Sequence, residues 1–398
     1  MTQTDILLII IFSAICLLSF VKFVPKFLSS LKLVSIIDKA TTNFVKKYYI
    51  PLTIAAFSIG VFIRVYKCGE IPYGFNQDEA MAALDGLTLS EYATDHYGVF
   101  LPVHLTAWIR GQMSSLLSYS MIPFLKLFGP SEFTARLPLL IFSLLSLWVV
   151  YRFSCKTFGK FAAIAILFVY AVNPWQIMMS RWALDCNLYP LFMLFGAYFL
   201  CLGLEKKKYL YFSMIMFGLT MYCYGIAYYT TPMFLIIMCI ILLVKKAIKI
   251  KQVLISFAIY FMLSLPILMM MLINLFKWET IHLPFMTISL FENTTRTNDI
   301  LFFSPDIIAQ LKLNVIAIMN TVFSLIPEAP WNAVNEVGSV YYFALPLFVT
   351  GLILLVLKKK MRNNMGVCII LVMLLSAVWS GIITNNTFVN RLNTIFIP

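Results

Sequence analysis

The sequence predicts an all-α polytopic membrane protein, and three observations predict it. Of its 398 residues, 61% are hydrophobic and 12% charged, with a mean hydropathy of +0.90. No water-soluble domain buries that much apolar surface. The apolar residues also fall in long runs, near 6–24, 49–66, 135–153, 160–178, 188–204, 209–225, 230–244, 253–273, 339–357 and 365–383. Finally, the basic residues collect in alternate connections between those runs, which is how multi-pass chains fix their orientation.

Each connection follows from its residues. Lys22, Lys26, Lys32, Lys39, Lys46 and Lys47 come after the first run. Arg152, Lys156 and Lys160 separate the third from the fourth, and Lys206 to Lys208 lie two runs later. Lys245, Lys246, Lys249 and Lys251 follow, then Lys358, Lys359, Lys360 and Arg362. The positive-inside rule makes these connections cytoplasmic. The net charge of +13 therefore reports topology rather than nucleic-acid binding. Of the 17 acids, all but Asp38 and Glu205 fall on the other side, so the sequence places function on the outer face of a cell membrane. Scarce Arg beside Lys, with abundant Ile and Asn, points to a bacterial source.

Two outer segments are long. In the first, about 67–134, the stretch Leu105 to Phe128 is apolar but broken by Arg110, Gln112 and several Ser. Counting it as a span would invert every later loop, so it is expected as helices lying in the interface. The second, about 274–338, reads mostly as loop with a helix at 305–323. A further span is expected to begin near Leu392 and to continue past Pro398. The expected organisation is an extra N-terminal helix with a basic connection, 1–48, ahead of a membrane module, 49–398. The eight Cys show no zinc or paired spacing. Only Cys68 and Cys186 share the outer side in this topology, which allows a bridge between them that nothing in the spacing supports.

The candidate chemistry begins at Phe75-Asn76-Gln77-Asp78-Glu79-Ala80. Acids at the mouth of a membrane helix mark either function or a solvated loop. As a functional pair, Asp78 and Glu79 would supply a carboxylate able to take a proton from a hydroxyl or amine. Arg181 and Asp185, four residues apart, are expected on one helical face, either as an ion pair or as a second acid with its arginine. His96, Tyr97 and His104 lie in a Pro-containing loop and are candidate phosphate contacts; as a metal pair the two His are weak. Arg110, Arg296 and Arg391 are candidate phosphate clamps. Arg136 is expected to snorkel or to cap the start of a span. No Walker loop, dinucleotide fingerprint or nucleophile elbow is present.

In this order the pieces resemble the membrane glycosyltransferases of GT-C type, in the branch of the protein O-mannosyltransferases and the aminoarabinose transferase of lipid A. The resemblance rests on Asp78-Glu79, Phe128-Gly129, Ala135-Arg136-Leu137-Pro138, Pro174…Arg181…Asp185, Tyr228-Tyr229-Thr230-Thr231-Pro232 and Arg391…Pro398. It implies a GT-C transmembrane helix bundle with juxtamembrane helices. It further implies a polyprenyl-phosphate sugar donor and an envelope acceptor (protein, wall polymer or glycolipid). Asp78 would be the base, Glu79 its support and Asp185 a second acid of the cavity. The scheme requires no metal or other cofactor, although a divalent cation is compatible with it. Related enzymes often carry Lys-Pro-Pro after a His or Tyr in the first loop, whereas His96 to Pro102 holds no lysine. Two rivals use the same outer face. One is a transporter of lipid-linked oligosaccharide or polysaccharide, or a membrane assembly protein without catalysis; a coupled transporter would place ionisable residues near mid-membrane, where this chain has few. A polysaccharide polymerase or ligase would lean on outer arginines and histidine rather than on an Asp-Glu pair.

Overall fold

The computed structural model describes residues 43–293, 300–324, 339–341, 344–385 and 388–398. The run at 6–24, nearly all of the 1–48 segment and Arg296 lie outside them. Among the described residues the chain is a bundle of helices with two short β-ribbons. Helix α1 (Tyr49–Val65) leads to α2 (Gln77–Tyr92), the ribbon β1–β2 (Leu105–Thr106, Gln112–Met113) and α3 (Leu116–Phe128). Then come α4 (Glu132–Phe158), α5 (Lys160–Val172), α6 (Pro174–Arg181), α7 (Leu188–Gly203), α8 (Lys207–Thr220), α9 (Ala227–Val244) and α10 (Ile250–Phe276). A second ribbon, β3–β4 (Ile281–Leu283, Met286–Ile288), precedes α11 (Ile307–Met319), α12 (Ala344–Leu357) and α13 (Met365–Ile383).

Five of the described helices are long and apolar enough to cross a bilayer: α4, α7 with its preceding turn, α9, α10 and α13. The bent pair α5–α6 makes a sixth. Three expected spans are shorter. Helix α1 has 17 residues, while α8 and α12 have 14 each, about 21 Å for the latter against a core of about 30 Å. The run 209–225 stops at Thr220 because the chain then turns, and the Tyr222 carbonyl accepts from Leu116 N at the start of α3.

Helix α7 is the buried centre, packed against α8, α4 and α13. Its glycines permit that closeness. A Cβ on Gly196 would stand 2.5 Å from the Phe217 ring, and one on Gly203 would stand 2.7 Å from Leu210 N. The α5–α6 break, bent by 58°, has a local cause. Pro174 has no N–H to give and holds Asn173 extended, and Asn173 Oδ1 then caps the new helix by accepting from Gln176 N at 3.0 Å.

The two long segments expected on the outer side depart from expectation in detail. Leu105 to Phe128 is a two-stranded ribbon followed by a single helix, α3, which packs along α2. Ser118 Oγ donates to the Ala82 carbonyl across that contact at 2.9 Å. The 305–323 helix is present as α11, capped by Asp306 Oδ1, which accepts from Ile308 N and Ala309 N. Ribbon β3–β4 was hidden because strands of three residues leave no period to read. Leu392 ends a four-residue helix that passes into a 3-10 turn at Asn393–Phe396. Cys68 and Cys186 are both buried free thiols rather than a bridge.

The two ends of the bundle differ in charge as the runs predict. Lys156 pairs with Glu205, and Asn364 Nδ2 donates to the Thr157 carbonyl, which joins three basic turns at one end. Arg136, 20 residues before Lys156 on the same helix, lies about 30 Å away at the other.

Candidate functional site

The acid-bearing end is organised by one buried ion pair. Arg136, on the first turns of α4, and Glu79, on the first turn of α2, are both fully buried. The guanidinium donates through Nε to Glu79 Oε1 at 2.8 Å and through Nη2 to Oε2 at 3.0 Å. Its remaining N–H groups reach the carbonyls of Cys68, Pro72 and Gly74 at 3.1, 3.0 and 2.7 Å. Glu79 also accepts from Ala183 N at 3.1 Å and, in a capping box with Asn76, from Asn76 N at 3.4 Å. Every polar atom of the pair is thus satisfied, which a buried charge pair requires. Arg136 therefore neither snorkels nor merely caps a span, contrary to expectation. Its planar fork collects three carbonyls and a carboxylate.

Two further buried arginines lock the same end. Arg181, the last residue of α6, donates to the carbonyls of Ile63 at 2.6 Å, Tyr66 at 2.6 Å and Ile71 at 3.1 Å. It thereby satisfies the C-terminal end of α1, where a cation is favoured. Arg64, on α1, reciprocates across the bend. Its Nη1 reaches the Ala171 carbonyl at 2.9 Å, Nη2 reaches Tyr170 at 3.4 Å, and Nε reaches Ser143 Oγ at 3.1 Å. The expected Arg181–Asp185 pair on one helix face does not form. Helix α6 ends at Arg181, Trp182 is extended, and Asp185 opens a 3-10 turn.

What remains for chemistry is then placed. Asp78 is exposed on the first turn of α2, and its backbone N–H is held by Asn76 Oδ1 at 2.9 Å. Asp185 is half-buried, with Oδ1 accepting from Cys186 N at 2.7 Å. Glu79 links the two regions, because its carboxylate holds both the start of α2 and the Ala183 N–H two residues before Asp185. Asp78 and Glu79, adjacent in sequence, thus have opposite environments: one faces solvent, the other is saturated.

The loop residues separate into different neighbourhoods. His96 Nδ1 lies 2.7 Å from Asp85 Oδ1, which also accepts from His96 N at 3.0 Å. Asp85, at 0% exposure, was not singled out by the sequence, although it lies seven residues after Asp78 and so nearly on the same helical face. Burial raises its carboxyl above the ordinary range, with the hydrogen bonds from His96 opposing that shift. His104 turns the other way, with Nε2 3.0 Å from the Tyr228 hydroxyl, so the two His do not converge. Among the described residues no cluster of His, Cys, Asp and Glu gathers to hold a metal. Tyr97 is exposed and its ring lies under the Arg110 guanidinium, 5.9 Å from its centroid, while Arg110 also pairs with Glu292. Arg391 donates to the Asn385 carbonyl and lies over Phe388. Asp95 is buried and accepts from Tyr97 N and Val99 N, which folds the loop tip.

Comparison with known proteins supplies the family context. Residues 115–273 match the family described as dolichyl-phosphate-mannose-protein mannosyltransferase, a segment that holds Arg136, Arg181 and Asp185 but begins after Asp78. No curated protein matches the chain in sequence. Among solved structures, ArnT from Cupriavidus metallidurans in the apo state is similar over 89% of this chain, at 11% identity and a TM-score of 0.54. The same protein bound to undecaprenyl phosphate gives a TM-score of 0.51 at 12% identity. The archaeal oligosaccharyltransferase AglB from Archaeoglobus fulgidus, in complex with an inhibitory peptide and a dolichol-phosphate, covers 89% at 14% identity and 0.54. This chain spans 58% of the ArnT chain and 49% of the AglB chain. It has the GT-C membrane glycosyltransferase fold.

Proposed function

We propose that this GT-C protein is a glycosyltransferase that moves a sugar from a polyprenyl-phosphate donor to an envelope acceptor at the outer face of a cell membrane. The observation that carries the reading is the Glu79 knot. It fixes the start of α2 against the Ala183–Asp185 turn, so that exposed Asp78 is presented from a rigid base. A lipid-anchored donor is confined to the bilayer, and Asp78 sits on the juxtamembrane helix at the acid-bearing end. The proposed reaction is a single displacement. Asp78 takes the acceptor's proton, the acceptor oxygen bonds to the anomeric carbon, and the carbon–oxygen bond to phosphate breaks with its electron pair going to the phosphate oxygen. The configuration at the anomeric carbon inverts.

In this scheme Asp185 is the second acid of the cavity, and Glu79 positions Asp78 rather than exchanging protons. The leaving phosphate departs already ionised, so hydrogen-bond donors need only stabilise its charge. The similar structures bound to undecaprenyl phosphate and to dolichol-phosphate support the donor class, and a protein, a wall polymer and a glycolipid all fit as acceptor. The test is transfer of labelled sugar from a set of polyprenyl-phosphate sugars to membrane and wall fractions, comparing the wild type with Asp78→Asn. Transfer abolished by the substitution at unchanged expression supports the reading. Equal labelling by both proteins, or none by either, overturns it.

A further inference from the structure

We propose that the apolar side chains of the 71–75 turn and of the α3–α4 turn form one rim that seats in the headgroup layer of the bilayer at the acid-bearing end. The inference goes beyond the transferase reading and holds whether or not the chain transfers sugar. It starts from side chains that the folded chain leaves uncovered. Tyr73 is 100% exposed, and Ile71 and Phe75 are exposed on either side of it. The backbone between them faces the other way. The carbonyls of Pro72 and Gly74 accept from Arg136, and that of Ile71 accepts from Arg181. The turn is therefore anchored through its main chain, and its apolar side chains are left outward.

The neighbouring turn repeats the pattern. Leu127 and Phe128, which end α3, and Phe133, on the first turn of α4, are exposed. The two turns touch, since a Cβ on Gly69 would stand 2.9 Å from Phe133 Cβ. Contiguous exposed apolar surface marks an interaction site, and the position of this one names the occupant. It continues the exposed apolar side of α1. The Phe62 and Tyr66 rings there are exposed and 5.4 Å apart, and Ile71 N returns to the Lys67 carbonyl at 2.9 Å. It also continues the exposed row of α4, where Phe133, Ile141, Leu145 and Trp148 fall within about 120° of arc.

Length gives the depth. Phe133 and Arg152 are both exposed on α4 and 19 residues apart, about 28 Å of helix against a hydrocarbon core of about 30 Å. With the Arg152 guanidinium drawn to one headgroup layer, Phe133 reaches the other. That is the layer in which a tyrosine such as Tyr73 settles, its ring in the apolar boundary and its hydroxyl in water. The charges agree. Arg136, Arg181 and Glu79 are buried beneath the rim, and Lys67 pairs with Glu70 at 2.8 Å. Exposed Lys126, next to Leu127, has a stem long enough to carry its ammonium to the phosphates. Because Glu79 ties the start of α2 to Arg136 under the rim, Asp78 is held at the level of the headgroups.

The test uses the whole protein in nanodiscs of phosphatidylethanolamine and phosphatidylglycerol, with added phosphatidylcholine brominated either near the headgroup end of its acyl chains or near their tips. Tyr73→Trp adds one indole to the seven tryptophans already present, and the difference from the wild type reports that position alone. Full exposure of Tyr73 makes the substitution harmless to the fold. The expected result is a blue-shifted added emission, most of which is lost with the shallow bromines, less with the deep ones and little with aqueous iodide. Phe128→Trp, on the other turn, should give the same order. An added indole reached by iodide and untouched by either brominated lipid overturns the proposal and turns the rim toward a soluble partner. Protection from all three quenchers overturns it as well, and means that a second copy or another part of the chain covers the rim. Stronger quenching by the deep bromines would sink the assigned level, and opposite orders at the two positions would break the single rim.

Discussion

Two glutamate ion pairs sit at opposite ends of α4, and they differ in everything except chemistry. Glu79–Arg136 has no solvent exposure on either side chain, and its atoms have partners from α2, α4, the 68–74 turn and the 183 loop. Glu205–Lys156 joins two basic turns, with side-chain exposures of 67% and 25%. Water screens the second and leaves it little to contribute. The first carries structure because its charges, once dehydrated, have nowhere else to go. A pair found in sequence is therefore not informative by its residue types. Its burial and its saturation decide what it does.

The largest expected effect breaks the buried knot. Glu79→Ala or Arg136→Ala leaves an uncompensated buried charge, which should cost about 3–5 kcal/mol, measured as a fall in thermal midpoint in micelles. Arg136→Lys should recover only part of this, since an ammonium cannot span a carboxylate and three carbonyls. If Glu79→Ala unfolds no earlier than the wild type, the knot is not the anchor described here. Next comes Asp78→Asn, beside the knot but outside it. It should leave the thermal midpoint unchanged while abolishing sugar transfer, and a matching loss of stability would mean that Asp78 is structural too.

A pH series sharpens the comparison at the half-satisfied acid. Burial raises the Asp85 carboxyl above its ordinary value of 3.8, so the folded state binds more protons than the unfolded chain across the interval between the two values. Stability should therefore fall as pH rises through that interval and be unaffected by Asp85 below it. Unfolding of Asp85→Asn should show a flatter profile, and equal slopes would remove Asp85 as the source. The smallest effect is expected at the exposed pair. Glu205→Gln should leave the thermal midpoint unchanged at neutral pH. Lys156, by hydrogen bond and charge, holds the Glu205 carboxyl below its ordinary range, so what the pair contributes is present above the ordinary carboxylate value and is lost as pH falls through the lowered one.

Much of the architecture was legible because membranes impose simple rules. Apolar length and lysine placement located the helices, and the Asp-Glu pair lies at the buried knot of the acid-bearing end. The division of labour within that pair was not legible. Asp78 and Glu79 are neighbours of the same charge, and which one faces water depends on where α4 and the 183 turn approach the first turn of α2. The sequence carried a partial signal in Asn76 and Glu79 at capping-box spacing, which favours a glutamate folded back on its own helix end. Arg181 and Asp185 show the opposite case. Their spacing fits a helix, but the helix ends between them because the arginine is drawn to the carbonyls at the end of α1.

Asp85 and His96 illustrate why such pairings escape sequence reasoning. Eleven residues of turn and helix separate them, a distance with no periodic signature, and only the loop folded by Asp95 brings the imidazole back to α2. By itself, then, the sequence determined that the chain crosses a membrane, which turns carry its positive charge and where its acids gather. These follow from hydrophobicity and charge, which act on each segment alone. Only the tertiary structure decided which acids are saturated and which remain exposed, because desolvation and hydrogen bonding depend on the neighbours that packing brings from elsewhere in the chain.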